Sequence, residues 1–162
     1  MAILCVVLGA ACANGAPARL GTAPAFRLRD VAGGTFDSKS LSGKVVVLDF
    51  WATWCGPCIA EIPEYTDFWK RNRARGVEVV GVAVDFEDPQ EISDFVAQQR
   101  IGYRQLLGDE GVRQAFAVNE GLPTTFVIDA RGQLAKRILG SGPEKFEQLQ
   151  KTVDALLAAE RK

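Results

Sequence analysis

A chain of 162 residues, 48% of them hydrophobic and 24% charged, has enough apolar side chain for one sizeable core and too little length for two comfortable domains. Nineteen basic against twenty acidic residues leave a net charge of −1, so no global field gathers nucleic acid or an anionic membrane surface. Histidine is absent, which removes the usual general base, every Ser/His or Cys/His catalytic pair and every metal site that needs imidazole.

The four cysteines fall into two groups, Cys5 and Cys12 near the start, Cys55 and Cys58 in the interior. Residues 1–13 are apolar, uncharged and end in Ala11-Cys12-Ala13, the small-residue pattern of a signal-peptidase site. They are expected to form a targeting leader, with a start codon further upstream explaining its shortness and its lack of Lys or Arg. A second reading makes Cys12 the lipid-bearing residue of a bacterial lipoprotein. A third is a frayed apolar terminus on a cytosolic protein. Residues 14–24, rich in Ala, Gly and Pro, read as a linker without fixed structure, and residues 25–162 as the folded domain. No later stretch reaches the roughly 18 apolar residues of a membrane span.

Within the domain, Phe26, Leu28 and Asp30 alternate with Arg27 and Arg29, a half-buried strand that Gly33-Gly34 turns toward a short return strand at Thr35-Phe36. Val45 to Phe50 is continuously apolar apart from Asp49, as a strand covered on both faces must be. A helix is predicted from about Cys55 to Arg75, with Ile59, Ile62, Tyr65 or Thr66, and Trp69 on its buried face, Pro63 kinking it and Gly76 ending it. A second buried strand covers Val77 to Val84. A short amphipathic helix follows over Glu91 to Arg100, then an edge strand at Tyr103 to Leu107 and a helix over Glu110 to Val118 capped by Asp109. A strand at Phe126 to Ile128 turns back through Asp129 to Gly132 and returns as Leu134 to Leu139. Ser141 and Pro143 open a last helix with Phe146, Leu149, Val153, Leu156 and Leu157 inward. This order predicts an α/β fold with a central mixed sheet flanked by helices.

The chemistry lies in Trp54-Cys55-Gly56-Pro57-Cys58. A thiol at a helix N-terminus faces unpaired backbone N–H groups and the positive end of the dipole, which stabilise its thiolate. Such thiols titrate between about 3.5 and 7.5, against about 8.5 for a free cysteine. Cys55 is therefore the expected nucleophile and Cys58, one turn inside, the more buried resolving thiol. Gly56-Pro57 lets the chain enter the helix tightly, Pro lacking an N–H that would otherwise be orphaned. Asp49 is costly in an apolar strand unless it keeps a proton or finds a partner. Six residues ahead of Cys55, it is a candidate for moving a proton to or from Cys58. Glu61, three residues after Cys58 on the same helix, is the second candidate.

The run from Asp49 to Cys58 resembles the active-site segment of thioredoxin, and Pro63 falls where that family has its helix-kinking proline. Leu122-Pro123-Thr124-Thr125-Phe126 is similar to the family's cis-proline segment. The resemblance implies a cis Pro123 facing the cysteines, with Leu122's backbone open to a bound peptide and Trp54, Gly56 and Pro57 lining the groove. Within the superfamily the TlpA/ResA-like exported thiol-disulfide oxidoreductases are more similar still. They share the N-terminal hairpin, the C-x-x-C-x-x-E-x-P run ending in Glu61 and Pro63, and an extra helix and strand between Asp85 and Leu107. One departure is Asp49, where ResA-like members often carry Asn or another neutral residue.

The resemblance implies a monomeric, cofactor-free enzyme in the periplasm or another extracytoplasmic space. It would reduce disulfides of exported proteins such as apocytochrome c and draw electrons from a membrane or periplasmic thiol donor. The alternative is a peroxiredoxin-like thiol peroxidase using Cys55, which lacks the P-x-x-x-T-x-x-C context of that chemistry. A metal module is short of ligands with two sulfurs and no histidine. Attachment of c-type haem fails because Ile59 follows Cys58.

Overall fold

The computed structural model describes residues 20–84 and 88–161; the leader, Cys5, Cys12 and most of the linker lie outside them. One sheet of eight strands organises the chain. In sequence order these are β1 (Gly21–Thr22), β2 (Arg27–Asp30), β3 (Thr35–Asp37), β4 (Val45–Trp51), β5 (Val77–Ala83), β6 (Arg104–Leu107), β7 (Thr124–Ile128) and β8 (Gln133–Leu139). They lie side by side as β1-β8-β7-β4-β5-β6-β2-β3. The helices are α1 (Gly56–Asn72), α2 (Pro89–Gln98), α3 (Glu110–Ala115) and α4 (Lys145–Glu160).

Every residue of β4 is buried, which is why its sequence is continuously apolar rather than alternating. It runs parallel to β5, Val45 facing Val77 and Trp51 facing Ala83, and antiparallel to β7, Phe50 facing Thr124. Its side chains still alternate between the faces. Val46, Leu48 and Phe50 join a core with Phe116, Phe126 and Ile128. Val45 and Val47 join another with Tyr65 and Phe68 of α1 and Leu149 and Val153 of α4. Asp49 shares the parity of Val45 and Val47 and therefore projects toward α1 and α4.

Four expectations need correction. The strand at Tyr103 to Leu107 is interior: β6 pairs with β5 on one side and with β2 on the other, so the N-terminal hairpin extends the sheet past it. The Asp30–Arg104 ion pair ties the hairpin to β6. The linker is ordered at its end, since Gly21 and Thr22 pair with Leu134 and Gln133 of β8. The helix expected over Glu110 to Val118 stops at Ala115, with Ala117 in the left-handed region at φ 51°; Asp109 does cap it, accepting from the Val112 N–H. The last helix starts at Lys145 rather than at Ser141 or Pro143.

Helix α1 runs on through Pro63, carries Lys70 and Arg71 in its last turn, and passes into a 3-10 turn over Arg73–Arg75. Gly76 ends it at φ +87°, a conformation that Cβ-bearing residues avoid. Its buried stripe is Cys58, Glu61, Ile62, Tyr65, Phe68 and Asn72. That stripe is rotated from the expected one, and it places Glu61 inside the protein.

Candidate active site

Strand β4 ends at Trp51, and Ala52 to Trp54 turn the chain into α1. Cys55 is the N-cap of that helix and Pro57 lies in its first turn. The two sulfurs are joined, Cys55 to Cys58, and the Cys58 N–H donates to Cys55 Sγ at 3.3 Å. That contact is the cap bond of an N-terminal side chain to a backbone N–H of the first turn. In this oxidised form both cysteines are covered, 5% and 3% exposed, so the expected contrast in burial is slight. Trp54 beside them is 74% exposed, leaving an indole in solvent next to a buried disulfide.

The Leu122–Pro123 peptide is cis. Because Phe50 faces Thr124 across the β4–β7 pair, Pro123 comes level with Trp51, at the end of the strand that leads into the cysteines. Leu122 packs against the core cluster that contains Cys55 and Cys58. Leu139, half-exposed, faces Thr124 from β8.

Asp49 is buried, and its Oδ1 accepts hydrogen bonds from the Tyr65 hydroxyl and from Thr125 Oγ1, each at 2.8 Å. The two hydroxyl oxygens are themselves 2.8 Å apart. Three oxygens thus form a closed triangle of hydrogen-bond contacts. Tyr65 and Thr125 supply one proton each, one fewer than the triangle needs. An ionised Asp49 accepts from both hydroxyls and leaves the Tyr65–Thr125 contact without a proton; an Asp49 protonated on Oδ1 donates to one hydroxyl, which turns its own proton to the other, and the ring closes. Burial pushes the Asp49 carboxyl up to about 6, opposed chiefly by the nearby Lys145 ammonium and then by the two hydroxyl hydrogen bonds.

Glu61 is buried too, not solvated as most helical glutamates are. Its Oε2 meets Lys145 Nζ at 2.6 Å, and burial nonetheless raises its carboxyl above the usual range. Lys145 was not foreseen. It is 3% exposed, lies 4.0 Å from Asp49 Oδ1, and holds its ammonium over the Tyr65 ring at 5.2 Å. Its signal in the sequence was position: Lys145 lies one turn ahead of Leu149 and two ahead of Val153, on the inward stripe of α4. Two carboxylates and one ammonium therefore share the space under α1, with Cys58, Glu61 and Tyr65 on one face of that helix.

Similarity to known proteins extends over most of the chain. The AhpC/TSA family model matches residues 21–137. The thiol-disulfide oxidoreductase ResA of Bacillus subtilis is 36% identical over 125 residues, 76% of this chain and 69% of that protein. The thiol:disulfide interchange protein HelX of Rhodobacter capsulatus is 34% identical over 140 residues, 84% of this chain and 75% of that protein. Among solved structures, a thiol:disulfide interchange protein of the thioredoxin family from Chlorobium tepidum superposes with a TM-score of 0.75 at 34% identity, covering 88% of this chain and 99% of that one. With a linked Cys55–Cys58 pair at the head of α1 and relatives of this kind, the chain belongs to the AhpC/TSA family of thioredoxin-like proteins and, within it, to the ResA-like thiol-disulfide oxidoreductases.

Proposed function

We propose that this oxidoreductase works as a reductase of disulfides in exported proteins, apocytochrome c among them, with Cys55 as attacking thiol, Cys58 as resolving thiol and Asp49 as the group that moves the proton. The observations that support it most are the linked cysteine pair at the head of α1 and the buried Asp49 carboxyl, which burial pushes up to about 6. The Cys55 thiolate attacks one sulfur of the substrate disulfide; that S–S bond breaks, the first substrate thiolate leaves, and a mixed disulfide forms on Cys55. Asp49, ionised, takes the proton of the Cys58 thiol. The Cys58 thiolate then attacks Cys55 Sγ, the mixed disulfide breaks, and the second substrate thiolate leaves. Two electrons pass to the substrate and the Cys55–Cys58 disulfide remains. A membrane or periplasmic dithiol restores the reduced pair by the same exchange in reverse.

Trp54, Gly56, Pro57, Leu122 and Pro123 form the groove for the substrate chain. The exposed indole of Trp54 offers apolar contact, and Leu122 offers backbone groups ahead of β7. Glu61 serves as the partner of Lys145. The protein acts outside the cytosol as a monomer; the apolar leader over residues 1–13 supports that setting, and Cys12 is its candidate lipid attachment point. Peroxide reduction by Cys55 is the weaker alternative, since Leu48 and Ala52 stand where the proline and threonine of that chemistry belong.

Cys58→Ser tests the assignment. The variant should trap a mixed disulfide through Cys55, seen as a shifted band on a non-reducing gel that dithiothreitol collapses. No captured partner, together with no reduction of insulin by the wild-type protein, would refute it.

A further inference from the structure

Lys145 comes from α4, the last element of the chain and remote in sequence from the cysteine motif, yet it is the cation that Glu61 and Asp49 share. The charges are unequal. Glu61 is held by the 2.6 Å ion pair, while Asp49 has the same ammonium at 4.0 Å and two hydroxyls for the rest. One buried cation balances one of the two carboxylates, and the second is at its lowest cost when it keeps a proton. The oxygen triangle of Asp49, Tyr65 and Thr125 accommodates that proton. The groups around Lys145 come from several elements: Asp49 from β4, Glu61 and Tyr65 from α1, with Tyr103, just ahead of β6, against the Tyr65 ring.

We propose that Lys145 is a positioning residue of the exchange reaction: by its place between Glu61 and Asp49 it sets how firmly Asp49 holds its proton, and so the pH above which Cys58 can be deprotonated for the resolving step. Lys145 touches neither substrate nor sulfur in this role. It acts through Asp49, lowering the cost of the ionised carboxylate that must receive the Cys58 proton. Without it, neither Asp49 nor Glu61 keeps an ion-pair partner among the described residues, and the Asp49 carboxyl stays protonated to higher pH. The electron transfer between sulfurs is unchanged; only the acceptance of the proton moves. The inference rests on the roles proposed for Cys55, Cys58 and Asp49.

The test separates the two thiol steps. Reduced protein mixed with the aromatic disulfide 5,5′-dithiobis(2-nitrobenzoate) releases one thionitrobenzoate when Cys55 attacks and a second when Cys58 resolves, and both releases are followed by absorbance across a range of pH. In Lys145→Met the acid limb of the second release should move up by about one pH unit or more, a roughly ten-fold slowing at a pH on that limb, while the first release keeps its rate and its profile. Lys145→Arg should restore the limb. An unmoved limb, or equal slowing of both releases at every pH, overturns the proposal. Should Lys145→Met fail to fold, Glu61→Gln/Lys145→Met removes both ends of the ion pair and leaves Asp49 without its cation; a smaller displacement in the same direction is expected, because Lys145 outweighs Glu61 in its effect on Asp49. Absence of any release by the wild-type protein would instead count against the exchange roles of Cys55 and Cys58.

Discussion

The ionisation of Asp49 bears on the stability of the fold and, in the proposed mechanism, on the proton transfer. A carboxyl raised from 3.8 to about 6 by burial makes the folded protein bind a proton that the unfolded chain has released. Stability from this group is therefore complete below about pH 4 and is lost as the pH rises through about 6. The loss amounts to about 3 kcal/mol, at roughly 1.4 kcal/mol per unit. Asp49→Asn cannot ionise, so the difference in stability between variant and wild type should shift in the variant's favour by about 2–3 kcal/mol between roughly pH 3.5 and pH 7.5, read from urea unfolding of the oxidised proteins. The same variant should slow the second thiol step while sparing the first. A difference that does not change with pH would show that Asp49 is ionised in the fold at an ordinary carboxylate pH. The sequence announced Asp49 because a lone carboxyl interrupts an apolar run. It did not announce Glu61 as buried or Lys145 at all, because a charge on a helix is ordinarily solvated. Their burial depends on two helices, remote in sequence, supplying each other's counter-charge.

At the level of elements, the row Asp49–Gly81–Gln105 crosses β4, β5 and β6 in register. Gly81 leaves the space that the Gln105 side chain fills; a Cβ there would lie 2.2 Å from Gln105 Oε1 and 2.7 Å from its Nε2. That same Oε1 accepts the indole N–H of buried Trp51 at 2.9 Å. Gly81→Ala should thus push Gln105 aside and strand the Trp51 donor, destabilising the protein by about 1–3 kcal/mol. Gly81→Ala/Gln105→Ala should lose less than the sum of the single variants, because both act on one contact. Additive losses in denaturant unfolding would contradict the shared cause. The strands themselves were legible from their β-branched runs, and β4 and β5 fall within a residue of expectation. Their neighbours were less so. The alternation of Leu28 and Asp30 against Arg27 and Arg29 says which side of β2 is buried, but not that β2 lies against β6, since a pairing between positions about 75 apart leaves no local pattern. For the same reason the two-residue strand β1 looked like linker.

For the whole molecule, the order of hairpin, βαβαβ, helix, hairpin and closing helix is enough to bring three distant segments together: the cysteines after β4, the cis-proline before β7 and Lys145 at the start of α4. The order of elements and the cysteine motif could be read from the chain, and the cis state of Pro123 followed from resemblance to a family. The counter-charge under α1 could not, because it is a property of assembly. Under the proposed mechanism exchange needs one reactive thiol and one held in reserve, and the difference is assigned to position, Cys55 at the cap of α1 and Cys58 a turn inside. The most direct check is the pH dependence of iodoacetamide alkylation of the fully reduced protein, with each cysteine located by mass spectrometry. Cys55 should react first, with a midpoint below about 7.5, and Cys58 should lag well behind it. Equal labelling of the two cysteines, or a Cys55 midpoint at or above about 8.5, would contradict the account.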